Sequence, residues 1–179
     1  MNTDVIINKK KLLVFIVAYN AENTIANVLT RIPNNLSTDY EISILIIDDA
    51  SNDKTFDISK NFRDEKLSTF PITILKNPIN QGYGGNQKIG FFYAIKNNFD
   101  IVALIHGDGQ YAPECLNDLL LPFDQGLADV VFGSRMMTRF GALKGRMPLY
   151  KFIGNRILTI FQNFMLNSSL SEFQSGYRV

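Results

Sequence analysis

Apolar residues in this chain come in short bursts set apart by polar turns. Leu12 to Ala18, Glu41 to Ile47, Ile72 to Leu75, Ile101 to Ile105 and Asp129 to Phe132 are the bursts. All read as strands, and Ile101 to Ile105, apolar at every position with β-branched residues at its start, has the pattern of a strand buried on both faces. Between them the period lengthens. From Thr24 to Arg31, residues Ile25, Val28 and Leu29, continued by Ile32, line one side of a short helix that Pro33 closes. Lys54 to Phe62, about Gln87 to Asn97 and Pro113 to Leu121 read as further helices. In the last, Pro113 suits a first helical turn and Glu114 suits the positive end of the helix dipole. Strand and helix alternate throughout, which predicts an α/β fold with a mostly parallel sheet and right-handed crossovers.

Composition narrows the class without choosing a function. A length of 179 residues suits one domain with a sizeable core, and a net charge of +1 gives no general attraction to nucleic acid. No nucleic-acid-binding module is recognisable. One cysteine excludes an internal disulfide and fits a reducing compartment. Cys115, one turn into the fourth helix, reads as a small core residue. The lysines at positions 9 to 11 before an apolar run resemble the start of a signal peptide. That run is short, however, and the polar Asn20-Ala21-Glu22-Asn23 follows without a cleavage site, so a first strand is the reading.

The polar clusters fall where strands end. In open α/β sheets the carboxyl ends of the strands are where ligands bind. Tyr19-Asn20-Ala21-Glu22 follows the first strand. It contains no glycine, which argues against a Rossmann-type dehydrogenase. Asp48 and Asp49 end the second strand; one of the two can accept from a base N–H or ribose hydroxyl, while Ser51 or Asp53 caps the next helix. Gly82, Gly84 and Gly85 stand before the third helix, where backbone can approach an anion. Asp108 and Gln110 offer two oxygen ligands suited to a hard cation on a diphosphate. His106 is either a third ligand, better suited to Mn²⁺ than to Mg²⁺, or a hydrogen-bonded residue at a strand end.

Charge is unevenly spread. From Val130 to Ser171 there are six basic and no acidic residues. Within it, Leu149, Phe152, Ile153, Ile157, Ile160, Phe161 and Phe164 recur at helical spacing, which predicts a long amphipathic helix from about Pro148 to Leu166. Two readings are open: a cationic, apolar surface that meets an anionic lipid or a phosphate-bearing acceptor, or a solvated basic face over a core helix. The closing run Gly176-Tyr177-Arg178-Val179 reads as entry into another strand or helix, so the expectation is a longer protein.

Together these pieces resemble the family 2 glycosyltransferases, in particular the dolichyl- or polyprenyl-phosphate sugar synthase branch. The matching segments are Val17-Ala18-Tyr19-Asn20, Asp48-Asp49-Ala50-Ser51-Asn52-Asp53, Asn80-Gln81-Gly82-Tyr83-Gly84-Gly85-Asn86, Asp108-Gly109-Gln110, Gly133-Ser134-Arg135 and Gln174-Ser175-Gly176-Tyr177-Arg178. They stand in the family's order across nearly the whole chain. The resemblance implies one domain over residues 1–179 with the GT-A fold, a three-layer sandwich around a mostly parallel sheet, the membrane-facing C-terminal part being absent. It implies an inverting transfer from a UDP- or GDP-sugar, with Mg²⁺ or Mn²⁺, to a polyprenyl phosphate or a cell-surface glycan precursor. A non-catalytic nucleotide-sugar binding domain is the alternative. Ala18, Tyr19, Asn20, Glu22, Asp48, Asp49, Gly82 and Gly85 would bind the nucleotide. Asp108 and Gln110, with His106, would hold the metal. Arg135 would meet the phosphates, and Asp108, Glu172 and Arg135 would form the catalytic set. Arg146, Ser175 and Arg178 would lie on the acceptor side. On the first reading of the cationic stretch, residues 135–166 make peripheral membrane contact, and the expected place of the protein is the cytoplasm, at the inner face of the membrane. The family's Asp-x-Asp reads His106-Gly107-Asp108 here, and its usual Glu after Tyr-Asn is Ala21, with Glu22 one place on.

Overall fold

A computed structural model describes residues 9–134, 136, 147–173 and 175–179. Six strands form one sheet: β1 (Lys10–Ala18), β2 (Tyr40–Asp48), β3 (Ile72–Lys76), β4 (Ile101–His106), β5 (Phe132–Gly133) and β6 (Tyr177–Arg178), in the spatial order β3-β2-β1-β4-β6-β5. β1, β2, β3 and β4 run parallel, while β6 is antiparallel to both its neighbours. The helices are α1 (Ile25–Thr30), α2 (Thr55–Asp64), α3 (Gly82–Lys96), α4 (Leu116–Asp124) and α5 (Leu149–Leu166).

The continuous apolar runs have their expected cause. Along β1, Leu12, Val14 and Ile16 face one way, into a core shared with Ile25, Val28 and Leu29 of α1, Phe62 of α2 and Leu120 of α4. Leu13, Phe15 and Val17 face the other way and pack with Leu45, Ile47, Leu104 and Ala94 of α3. Side chains alternate across a strand, so a strand with cover on both sides must be apolar at every position. Burying each such leucine or isoleucine is worth about 1.5–3 kcal/mol, and β1 carries the greatest share because it lies centrally.

Several boundaries differ from the expectation. α3 begins at Gly82, five residues before Gln87, so the glycines form the first helical turn instead of preceding it. Gly82 enters with φ +70, which a side chain would oppose. The segment after β4 opens as a 3-10 turn over Pro113–Cys115, and α4 begins only at Leu116. The tighter turn puts Leu116 into the core and leaves Cys115 exposed, so Cys115 is not a core residue. α4 also runs past Leu121 to Asp124 with Pro122 inside it. β5 keeps only Phe132 of the expected Asp129 to Phe132 and takes in Gly133, although Val131, just before it, exchanges both backbone hydrogen bonds with Val179.

The largest difference is α5. The helix forms over the expected residues, but its apolar side is not a core: Thr159 is its one buried residue, while Tyr150 is 72 % and Phe164 83 % exposed. The reading of a basic face over a core helix is therefore overturned.

Candidate active site

The carboxyl ends of β1, β2 and β4 meet the start of α3 around an open cleft of about 350 Å³. Ala18 and Tyr19 supply one wall, Asp49 the floor beside β2, Asn80, Gly82, Tyr83 and Asn86 the α3 side, and His106, Gly107 and Asp108 the β4 side. Five of the predicted site residues thus stand together with His106: Ala18, Tyr19, Asp49, Gly82 and Asp108.

The adjacent carboxylates divide the work by side-chain alternation. Asp48 points into the protein and is fully buried. Its Oδ1 accepts from the Ser51 backbone N–H at 3.2 Å and from the Ser51 hydroxyl, and Lys76 Nζ lies 3.5 Å from its Oδ2. Asp48 shapes the turn, which passes through Ala50 at φ 59. Asp49 faces the cleft. Its Oδ1 accepts from Asn77 Nδ2 at 2.7 Å and from the Gln81 backbone N–H at 2.8 Å, so the carboxylate is locked to the entry of α3.

Asn20 and Glu22 serve the loops. Asn20 accepts from the Asn52 N–H through Oδ1 at 3.2 Å, and its own N–H donates to Ser51 Oγ at 2.9 Å. Glu22 accepts from the Lys54 N–H at 3.1 Å and donates its own N–H to Asp53 at 3.0 Å. These contacts lace the β1 loop to the β2 loop. Burial works against the Asp53 charge, but hydrogen bonds from Thr55 and the Glu22 N–H hold its carboxyl below the usual range. Gly85 sits inside the first turn of α3, where a Cβ would come within 2.8 Å of Gln81 Cβ.

Asp108 is exposed at the cleft edge and accepts from the Gln110 N–H at 3.0 Å. His106 lies behind it. Its Nε2 is 2.9 Å from the Tyr83 hydroxyl, and its ring meets the Tyr83 and Tyr111 rings at centroid distances of 5.0 and 5.1 Å. Burial raises the Tyr83 phenol above its ordinary pKa, so the hydroxyl stays neutral; Arg178 opposes the shift and Asp108 adds to it. Among the described residues no three His, Cys, Asp or Glu side chains gather into a metal nest. The donor set still fits a hard cation, which takes one or two protein oxygens and completes its shell with phosphate and water.

The acceptor-side candidates lie along β5, β6 and α5. Glu172 is buried; its Oε1 accepts from Asn155 Nδ2 at 2.8 Å and its Oε2 from the Ser134 hydroxyl at 3.4 Å. Thr159 donates to Asn155 Oδ1 at 3.1 Å, completing a polar clasp that docks α5. The Ser175 hydroxyl bonds the Gly133 carbonyl and ties β6 to β5. Arg178 donates through Nε to the Ser175 carbonyl at 3.1 Å and lies 5.6 Å from the Phe132 ring centre. Arg135 and Arg146 lie outside the described residues. Sequence reading passed over Tyr83, Asn77 and Asn155. Tyr83 stands inside the Asn80-to-Asn86 segment of the resemblance but had no role assigned to it, and nothing in the local pattern marks Asn77 or Asn155, whose partners Asp49 and Glu172 lie far along the chain.

The family description "Glycosyl transferase family 2" matches residues 13–179. The chain belongs to glycosyltransferase family 2. This family 2 chain is 30% identical over 178 residues to the UDP-N-acetylglucosamine–dolichyl-phosphate N-acetylglucosaminyltransferase of Methanococcus voltae, covering 94% of the chain and 68% of that protein. It is 25% identical over 171 residues to the polyprenol monophosphomannose synthase of Mycolicibacterium smegmatis, covering 94% of the chain and 61% of that protein. The chain thus spans about two thirds of the length of these relatives. In structure it resembles residues 1–349 of TarS from S. aureus, with a TM-score of 0.51 and 21% identity over 67% of this chain and 34% of that one. The fold of the family 2 chain is accordingly GT-A, the α/β sandwich expected from its sequence.

Proposed function

We propose that this protein transfers a sugar from a nucleotide-diphosphate donor to a polyprenyl phosphate. The observation that carries the reading is the shared cleft, which sets a buttressed Asp49 and an exposed Asp108 at one rim of a parallel sheet. The relatives from M. voltae and M. smegmatis, named for transfer to dolichyl phosphate and polyprenol, support the acceptor class.

In this mechanism Tyr19 and Asp49 hold the nucleoside, Asp49 accepting from a base or ribose donor. The first turn of α3 presents the positive end of a helix dipole to the diphosphate. Asp108, with Gln110 beside it, would hold a Mg²⁺ or Mn²⁺ ion, whose part is to offset the charge that grows on the leaving diphosphate. An acceptor phosphate oxygen bonds to the anomeric carbon as the bond to the diphosphate oxygen breaks, and that electron pair departs on the nucleoside diphosphate. A phosphate is already ionised at neutral pH, so no strong base is needed. Glu172 then serves chiefly to seat α5, and would act as base only for a hydroxyl acceptor.

A thermal-shift screen of UDP-, GDP- and dTDP-sugars with and without Mn²⁺ tests the donor side. The expected result is a rise of several degrees with one nucleotide, dependent on metal. Transfer to polyprenyl phosphate then separates an enzyme from a domain that only binds the donor; binding without transfer or hydrolysis would refute the enzyme.

The exposed side of α5 supports a membrane surface as the place of work. Ile157, Phe161, Phe164 and Met165 are all more than half exposed, with Lys151 and Arg156 on the same helix. No helix among the described residues is long and apolar enough to cross a membrane. Such a helix lies in the interface plane, and each nearby cation adds about 1 kcal/mol on an anionic surface. The protein is expected to sediment with phosphatidylglycerol vesicles, and the double substitution Phe161→Glu with Phe164→Glu to remove that binding. Unchanged sedimentation of the double variant would refute this role of α5.

A further inference from the structure

His106 stands where the resemblance would place a carboxylate, but its surroundings are not those of a ligand. Its Nε2 is 2.9 Å from the Tyr83 hydroxyl. On another side its ring packs edge-on to Tyr111, whose hydroxyl accepts the Gly176 N–H at 2.7 Å. Gly176 itself presses so closely that a Cβ there would lie 2.3 Å from His106 Nε2. The imidazole is thus wedged between the start of α3, the turn after β4 and the start of β6.

We propose that His106 is a positioning residue: it anchors Tyr83 across the mouth of the donor cleft, sets the spacing between that cleft and β6, and leaves the cation to Asp108. This rests on the donor-binding reading above and deepens it. The atom facing Nε2 is a neutral phenol, which can donate to the imidazole and thereby holds that lone pair. A cation bound through Nε2 would have to displace the Tyr83 hydroxyl. The chemistry that recognises the donor on this side is then a tethered aromatic ring and a single carboxylate. The wedge also explains the glycine of the Ser-Gly-Tyr-Arg run, since any side chain at Gly176 would push the ring off Tyr83.

His106 is the only histidine in the chain, so its ring nitrogens can be read in ¹⁵N-histidine-labelled protein without assignment. At fixed pH, Tyr83→Phe is expected to shift the Nε2 resonance, while the addition of Mg²⁺ with UDP or GDP leaves it in place. In calorimetry with Mg²⁺ and UDP or GDP, His106→Ala and Tyr83→Phe should each weaken binding about three- to tenfold, the worth of one hydrogen bond. Combined, they should cost no more than either alone. His106→Gln, which keeps a hydrogen-bonding group at similar reach, should recover most of the affinity. A shift of Nε2 on adding Mg²⁺ and nucleotide to Tyr83→Phe and wild type alike would overturn the proposal, as would effects of the two substitutions that multiply. If neither nucleotide binds wild type, the donor reading fails, and the resonance of Tyr83→Phe still decides the tether.

Discussion

Replacing Asp108 with alanine is expected to reduce sugar transfer by about a thousandfold or more while leaving the protein folded. The expectation follows from where the residue sits. Asp108 is exposed on the turn after β4, shares the cleft with Asp49, and its side chain accepts from the Gln110 N–H at 3.0 Å. Removing that hydrogen bond costs about 1 kcal/mol. In a chain of this size that lowers the melting temperature by roughly 2–4 °C. The chemical cost is far greater, because charge developing on the departing diphosphate loses its counterweight, and a single such electrostatic contact is worth about a hundred- to a thousandfold. Loss of the cation held there deepens the effect. The measurement is transfer from the nucleotide sugar chosen by the thermal-shift screen to polyprenyl phosphate, with the melting curve of the variant beside it. Asp108→Asn keeps an acceptor for the Gln110 N–H and separates charge from turn geometry: it should melt like wild type and still fail to transfer. Ordinary turnover by either variant would remove Asp108 from the mechanism.

The largest effect on stability is expected at Gly90. In an exposed helix interior, glycine to alanine stabilises by about 1 kcal/mol. At Gly90 the sign reverses. A Cβ there would lie 2.1 Å from two ring atoms of Phe15, which is fully buried in the middle of β1 and meets Phe91 edge-on. Neither partner can yield, since Phe15 is enclosed by the sheet and α3 is bound along its length by Ala94 and Ile89. Gly90→Ala is therefore expected to destabilise by about 3 kcal/mol or more, as overpacking a filled core does. Urea denaturation measures it. Gly154 in α5, with nothing within 4 Å of its Cβ position, is the control: there alanine should stabilise. Adding Phe15→Leu to Gly90→Ala should return part of the loss, because the two positions are in contact and their effects do not add. Equal stability of Gly90→Ala and wild type would mean that α3 can lift from the sheet, and the placing of Tyr83 and Gly82 at the cleft would fall with it.

Much of the site was legible because a parallel sheet has a simple rule. Apolar runs at consecutive positions announce strands covered on both faces, and the polar turns that end them must gather along one edge. Tyr19, Asp49 and Asp108, which line one cleft, were singled out in this way, each from its position after a strand. What the pattern could not separate was Asp48 from Asp49. Both are carboxylates after the same run, and only the orientation of the last residue of β2 sends Asp48 to Ser51 and Lys76 and Asp49 to the cleft. His106 was ambiguous for the same reason. Ligand and hydrogen-bonded residue differ only in what surrounds the ring, and Tyr83, whose hydroxyl lies 2.9 Å from Nε2, is 23 residues away in the chain.

α5 shows the limit from the other direction. Its period is unmistakable, and the helix forms, but an apolar stripe does not say what will cover it. Here a polar clasp of Asn155, Thr159 and Glu172 faces the protein and the apolar side faces out. Period is a property of the chain and its hydrogen-bonded backbone; cover is a property of everything else in the molecule.

By itself the amino-acid order determined the alternation of strands and helices, the parallel centre of the sheet and the edge along which the polar loops gather, because these follow from local period and chain connectivity. The tertiary structure alone decided the antiparallel entry of β6 between β4 and β5, the division of labour between neighbouring aspartates, the wedge around His106 and the outward face of α5. Each depends on contacts between residues distant in the chain, and such contacts leave no trace in the spacing of residues along it.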